Sequence, residues 1–178
     1  MKAIHYKHWT EIDKQMLEQT RTFKDLGRLA LSIMSRFEHD IEMISGPYST
    51  GGVGTREGNG IVFEGVIEIM ILEKKRNIFS QMPFEEKIAE LYKNWRMENP
   101  HTDYCMPILE DFYELVFSSG RVKVLNFIHD WQSSFGARWE HDGCSRWKIK
   151  RKYLTPDLSR RALELNQPKI HESAKTHR

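Results

Sequence analysis

Val122-Lys123-Val124-Leu125-Asn126-Phe127-Ile128 is the strongest strand pattern in the chain, and it decides the fold class. It is followed by a short polar connection, Ser133-Ser134-Phe135-Gly136, and then by a helical pattern that carries Glu140. A second apolar run, Ile41-Glu42-Met43-Ile44, leads in the same way into small and polar residues, 45–52. Strands that alternate with helices predict a parallel sheet.

Helical patterns surround these strands. Apolar spacings of three and four residues predict a long helix over 9–38, which Gly27 could divide in two. The remaining expected elements are helices over 60–76, 83–97, 104–118, 134–145 and 158–165, and shorter strands at 77–80 and 147–153. The sequence therefore predicts an α/β protein, a Rossmann-like three-layer fold with a mostly parallel sheet. We expect an N-terminal helical extension (1–40), a Rossmann-like catalytic domain (41–154) and a basic, partly disordered tail (155–178).

The composition describes an ordinary folded chain. With 178 residues, one domain with a real core is expected. The formal net charge of +2 gives little electrostatic drive towards DNA or RNA, so no stable nucleic-acid partner is expected. No stretch approaches the about 20 apolar residues that span a bilayer, so no membrane anchor or membrane partner is expected.

Cys105 and Cys144 are the only cysteines, and neither lies in a pattern with metal-ligand spacing. Two free thiols are typical of a reduced, cytoplasmic protein. We therefore expect a cytoplasmic location, with no metal and no organic cofactor.

Glu140 is the main candidate for chemistry. In an open α/β sheet, the loops that leave the carboxyl ends of the strands form the ligand crevice. Glu140 follows the strand 122–128 by one such loop. A carboxylate there can trap the positive charge that develops at a sugar's anomeric carbon when its substituent leaves. A glutamate on a helix is more commonly a solvated surface residue, so the position of Glu140 makes it a candidate nucleophile.

Ser133, Ser134 and Gly136 lie where the helix that carries Glu140 begins. A serine there caps the helix through its hydroxyl. Alternatively, the hydroxyl and nearby backbone N–H groups hold a phosphate. Both can apply, with one serine for each role, and Gly136 fits either because it leaves room for close approach.

Two further patterns carry less information. Glu110 and Asp111 precede the strand 122–128 by one helix, and one of them could reach the crevice as a general acid. The helical spacing places Asp111 equally well towards solvent. The Gly-rich stretch 51–55 is followed by no Gly-Lys-Ser/Thr and does not fit GxGxxG, so it predicts neither a P-loop nor a dinucleotide site.

The two loops resemble those of the nucleoside 2-deoxyribosyltransferase-like superfamily. The resemblance depends on a strand that ends in Ser45-Gly46-Pro47-Tyr48-Ser49, and on a later strand followed by Ser134-x-Gly136-x-x-x-Glu140. It covers roughly residues 41–150. Members of this superfamily exchange bases on deoxyribonucleosides or hydrolyse the N-glycosidic bond of nucleoside 5′-monophosphates. The resemblance implies that no cofactor or metal is required, and it implies a homodimer or a higher homo-oligomer.

The resemblance also implies a role for each motif residue. Glu140 matches the catalytic nucleophile. Asp111 matches the second acidic residue, which contacts the sugar or assists proton transfer. Ser134 matches the serine that holds the 5′-phosphate in the hydrolases, and Gly136 matches the glycine of that turn. The first loop lies beside the sugar and base, and its matching residues are Ser45, Gly46, Tyr48 and Ser49.

A hydrolase is the expected function. Transferases of the superfamily typically carry Asp at the position of Ser134, where a carboxylate would repel a phosphate. Ser134 therefore favours cleavage of a nucleoside 5′-monophosphate to free base and (deoxy)ribose 5-phosphate. Two alternatives stay open: a nucleoside 2-deoxyribosyltransferase that exchanges bases, and a non-catalytic nucleotide-binding module. The N-terminal helices and the basic tail favour the module, because small superfamily members have no counterpart to them.

Overall fold

The computed structural model describes residues 2–49 and 51–166, with one parallel sheet between layers of helices. The strands are β1 (Ile41–Ser45), β2 (Val122–Phe127) and β3 (Lys150–Tyr153). The helices are α1 (Glu11–Gln19), α2 (Phe23–Met34), α3 (Arg56–Leu72), α4 (Glu85–Glu98), α5 (Glu114–Ser118), α6 (Phe135–Trp147) and α7 (Pro156–Asn166). A π-helical segment, Ile108–Tyr113, leads into α5, and 3-10 turns lie at Ala3–Tyr6, Met82–Phe84 and Trp131–Ser133.

The sheet has the strand order β1-β2-β3, and both pairs are parallel. Ser45 pairs with Phe127, which pairs in turn with Tyr153, so the carboxyl ends of all three strands lie at one edge. The expected strand at 77–80 is reduced to a single parallel bridge between Glu42 and Ile78. The predicted α/β class and parallel sheet are confirmed.

Each face of the sheet has its own hydrophobic core. Met43 and Leu125 belong to one core, together with apolar residues of α2, the π-helical segment and α6. Ile44 and Ile128 belong to the other, with apolar residues of α3 and α7. Helices therefore cover both faces, consistent with a Rossmann-like three-layer fold. Helix α2, in the N-terminal region, shares its core with the strands.

The N-terminal helices are divided before Gly27, not at it. The break lies at residues 20–22, where the Thr22 hydroxyl accepts a hydrogen bond from the backbone N–H of Asp25, 3.1 Å away, and caps α2. Gly27 lies within α2 and serves packing: a Cβ there would be 3.1 Å from the backbone oxygen of Asp111. The expectation that Gly27 divides the helix was therefore wrong.

The other elements differ from their expected bounds by a few residues. Helix α6 continues to Trp147 and ends at Lys148, whose φ of +58° is left-handed, so β3 begins only at Lys150. Helix α7 extends slightly beyond the expected 158–165 at both ends. Of the tail that is predicted to be partly disordered (155–178), residues 167–178 lie outside the described residues. In the part of the chain that is described, no helix combines the length and apolarity needed to cross a membrane.

Candidate active site

Glu140 lies inside the protein at the carboxyl edge of the sheet. Its side chain projects from α6, and the residue is 7% exposed. The hydroxyl of Ser45, the last residue of β1, donates a hydrogen bond to Glu140 Oε2. The contact forms because Ser45 pairs with Phe127 on β2, and the chain beyond β2 leads through the 3-10 turn Trp131–Ser133 into α6. The sheet register thus brings the loop after β1 and the loop after β2 next to each other.

Burial changes the acidity of Glu140. Removal from water disfavours the charged form and raises the pKa of Glu140 to about 7, against an opposing effect of the Ser45 hydrogen bond. The carboxyl group therefore changes its charge near neutral pH. Such a group can serve as a nucleophile or as a base under physiological conditions.

A pocket of about 330 Å³ opens beside Glu140. Its size lies within the range of about 300–1,000 Å³ that is usual for small-molecule sites. Six of the nine predicted site residues line it: Gly46, Tyr48, Ser49, Ser134, Gly136 and Glu140. Ser45 is buried behind the wall and reaches the site through its hydrogen bond to Glu140. The structure therefore brings seven of the nine residues together.

Ser133 lies outside the pocket lining and organises the first loop instead. Its hydroxyl donates to the backbone oxygen of Asp130 at 2.7 Å and accepts from the N–H of Gly52 at 3.0 Å. The buried side chain of Asn59 reinforces the same loop, since its amide donates to the backbone oxygens of Tyr48 and Gly51 at 3.0 and 3.1 Å. The hydrogen bonds of the Ser133 and Asn59 side chains therefore hold the loop in place.

Asp111 does not join Glu140. It is exposed on the π-helical segment, whereas Leu109 and Tyr113, two residues to either side of it, line the pocket. Residues two positions apart on a helix point to different sides. The side of the segment that faces the pocket is thus occupied by Leu109 and Tyr113, and Asp111 is turned towards water.

Glu85 is a pocket residue that the sequence reasoning missed. It is the first residue of α4, it is 8% exposed, and it lines the same pocket as Glu140. Two acidic residues in the first turn of a helix look like a solvated, dipole-favoured pair. The signal for the position of Glu85 lay in the order of the chain. Ile78 forms a bridge to β1, and the chain runs from Ile78 into α4.

The surroundings of Glu85 also oppose ionisation. Burial raises the pKa of Glu85 to about 7, and the Arg56 guanidinium and the Tyr48 hydroxyl act in the opposite direction. Arg56 Nη2 lies 3.7 Å from Glu85 Oε2, and the Arg56 side chain is 48% exposed. This is a loose ion pair, so Glu85 keeps a raised pKa despite its basic neighbour.

Tyrosine side chains share the pocket with the two carboxyl groups. Burial, with the negative charges of Glu85 and Glu140, holds the pKa of Tyr113 well above its usual range. Tyr104 is also in the pocket, and a Cβ added to Gly136 would lie 3.0 Å from the Tyr104 hydroxyl oxygen. A larger residue at Gly136 would therefore displace Tyr104.

The amino-terminal end of α6 forms the remaining wall. Ser134 caps the helix, since its hydroxyl accepts a hydrogen bond from the N–H of Ala137 at 3.4 Å. Ser134, Gly136 and Ala137 line the pocket, so the positive end of the helix dipole faces it. Free backbone N–H groups at such a terminus bind anions.

The described residues contain no cluster of three or more His, Cys, Asp or Glu side chains that could hold a metal ion. The pocket itself contains two buried carboxyl groups, four tyrosines and one helix terminus. These groups can bind a small anionic molecule and transfer protons to it. Comparisons of the chain with protein-family models, with curated proteins and with solved structures gave no match.

Proposed function

We propose that this protein is a hydrolase that cleaves the N-glycosidic bond of a nucleoside 5′-monophosphate. The observation that carries the proposal is Glu140, a buried carboxyl group held by Ser45 in a pocket that also contains a helix amino terminus. A nucleophile and an anion site in one small pocket suit a substrate with an anomeric carbon and a phosphate.

In the proposed reaction, Glu140 attacks the anomeric carbon. One carboxylate oxygen forms a bond to that carbon as the carbon–nitrogen bond breaks, and the bonding electrons leave with the base. Water then attacks the same carbon and releases Glu140 as a carboxylate. The Ser45 hydrogen bond holds the attacking group in one orientation, which favours the reaction by positioning.

The phosphate is assigned to the amino terminus of α6. The Ser134 hydroxyl and the N–H groups of the first helical turn face the pocket there, and the helix dipole favours negative charge. The base is assigned to the apolar and aromatic part of the wall, which includes Ile88, Leu109 and Tyr113. Aromatic and aliphatic side chains bind the flat faces of bases through contact area.

A chromatographic screen for released base tests the proposal. The wild-type protein is incubated with each common and modified nucleoside 5′-monophosphate, beside Glu140→Gln and beside Asp142→Asn, which removes an exposed carboxylate from the same helix. We expect base from the wild type and from Asp142→Asn, and about a hundredfold or greater loss in Glu140→Gln.

Adding a second free base to each reaction separates hydrolysis from exchange. A new nucleoside or nucleotide in place of a free sugar phosphate would identify a transferase. Absence of any base release from the wild type, with or without the acceptor base, would overturn the proposal and leave a binding module.

A further inference from the structure

Glu85 is a second buried carboxyl group in the pocket of Glu140, and nothing in the proposed nucleophilic step uses it. It reaches the site from α4, whereas Glu140 reaches it from α6. A buried carboxylate without a close partner destabilises a fold. A functional role would account for its presence.

Three groups from three other elements face Glu85. Tyr48, from the loop after β1, lines the same pocket, and Arg56, from α3, lies 3.7 Å from the Glu85 carboxylate. Tyr113, from the π-helical segment, lines the same pocket as Glu85 and Glu140. Only Arg56 carries a positive charge, and its half-exposed side chain makes no hydrogen bond to the carboxylate. The site therefore favours the protonated acid more than a surface position would.

We propose that Glu85 is the general acid that protonates the departing base, an inference that depends on the N-glycosidase function proposed above. As the carbon–nitrogen bond breaks, the base takes the bonding electrons and the proton of the Glu85 carboxyl group, and Glu85 becomes a carboxylate. In the second step, the water that attacks the anomeric carbon gives a proton back to Glu85. The sum is nucleotide plus water to free base plus sugar phosphate, with both acids restored.

The raised pKa of Glu85 supports this role, because a carboxyl group with a pKa of about 7 still holds a proton near neutral pH. Glu140 has a pKa of about 7 as well. Two acids in one pocket titrate as a pair, and the form that carries one proton is the active one. The dependence of kcat/KM on pH should therefore be bell-shaped, with its maximum near neutral pH.

A leaving group that needs no proton separates the two acids experimentally. 4-Nitrophenyl β-D-ribofuranoside 5-phosphate, or its 2-deoxy form, releases a stable anion, whereas a nucleotide base has to be protonated. We expect Glu85→Gln to lose about a hundredfold or more in kcat/KM on the nucleotide found by the screen and less than about threefold in kcat/KM on the aryl compound, because kcat/KM reports the first step, in which the base leaves. Glu140→Gln should lose activity on both.

Glu86→Gln is the matched control, since Glu86 is the exposed neighbour of Glu85 on the same helix turn. It should leave both rates unchanged. Glu85→Gln should also remove the alkaline limb of the pH profile on the nucleotide, a result that a merely structural residue would not give. Thermal unfolding checks that the variant folds.

The outcomes distinguish this inference from the proposed function. A wild-type protein that releases no base overturns both. If the wild type is active, and Glu85→Gln loses activity equally on both substrates or keeps the alkaline limb of the pH profile, the general-acid role alone is overturned. Selective loss on the nucleotide, together with loss of the alkaline limb, supports it.

Discussion

Glu140 and Glu85 are acidic residues that the fold keeps away from water. Ser45 donates one hydrogen bond to Glu140, and Arg56 approaches Glu85 only loosely. Both carboxyl groups therefore have a pKa of about 7. Groups with such values exchange protons readily at neutral pH, which a surface glutamate does not.

Ser134 allows the assigned phosphate site to be tested by charge alone. Asp is as good a helix cap as Ser, but a carboxylate at this terminus would repel a phosphate. We expect Ser134→Asp to lower kcat/KM for the 5′-monophosphate by about tenfold or more, with little change in Tm. The measurement is steady-state kinetics on the nucleotide and on its nucleoside.

Ser134→Asn is the control for that prediction, because Asn caps equally well and carries no charge. It should keep most of the activity on the monophosphate. Equal losses in the Asp and Asn variants, or an equal effect on the nucleoside that lacks a phosphate, would show that the α6 terminus does not bind the phosphate.

Individual site residues were predictable where position along the chain sufficed. Ser45 ends β1, Ser134 and Glu140 come after β2, and the shared edge of a parallel sheet brings them together. The placement of Asp111 and Glu85 depended on which side of a helix meets the sheet. The short π-helical segment and a buried first turn of α4 decide that, and neither is encoded in apolar spacing.

At the scale of elements, α3 and α7 pack very closely on each other. Gly65 of α3 packs directly on the backbone of Ala162 in α7, where an added Cβ would lie 2.6 Å from the Ala162 oxygen. The absence of a side chain lets α7 lie flat on α3 and close the second core. Helix α7 is thereby fixed to the sheet domain.

Gly65→Ala should destabilise the protein by about 1–3 kcal/mol, because one of the two helices has to move. Gly60→Ala is the matched control in the same helix. Its nearest neighbour would be the Tyr48 hydroxyl oxygen at 3.6 Å, an ordinary contact. It should be neutral, or stabilising by up to about 1 kcal/mol through helix propensity. Urea unfolding of the two variants checks this, and similar values for both would contradict the close contact.

The order of elements was largely predictable, and their ends less so. The strands β1 and β2 stood out because buried parallel strands are continuous apolar runs. The break between α1 and α2 was assigned to Gly27, although the capping signal Thr22-x-x-Asp25 precedes it in the sequence. Inside a helix, a glycine can meet a packing need, and in this case it accommodates the backbone of Asp111.

At the scale of the whole molecule, the two buried acids make stability depend on pH. The folded-state pKa of each is about 7, against an ordinary value of 4.5. The folded protein therefore binds more protons than the unfolded chain between these values. The contribution is fully favourable below about pH 4.5 and is lost as the pH rises through about 7.

The double variant Glu85→Gln/Glu140→Gln should therefore be more stable than the wild type at pH 8, by up to a few kcal/mol at about 1.4 kcal/mol per unit of pKa shift. The difference should shrink towards pH 5. Thermal unfolding at both pH values measures it, with Glu86→Gln/Asp142→Asn as the exposed control pair. A difference in stability between the double variant and the wild type that stays constant with pH would mean that the two carboxyl groups ionise normally.

The hydrogen bond between Ser45 and Glu140 joins positions that are 95 residues apart. Contacts over such a distance form late in folding, because closing a long loop costs entropy before the contact stabilises it. During synthesis, the first loop emerges long before its carboxylate partner exists. Partly folded intermediates can therefore contain strands and helices without the assembled pocket, and the pocket is completed only when Ser45 meets Glu140.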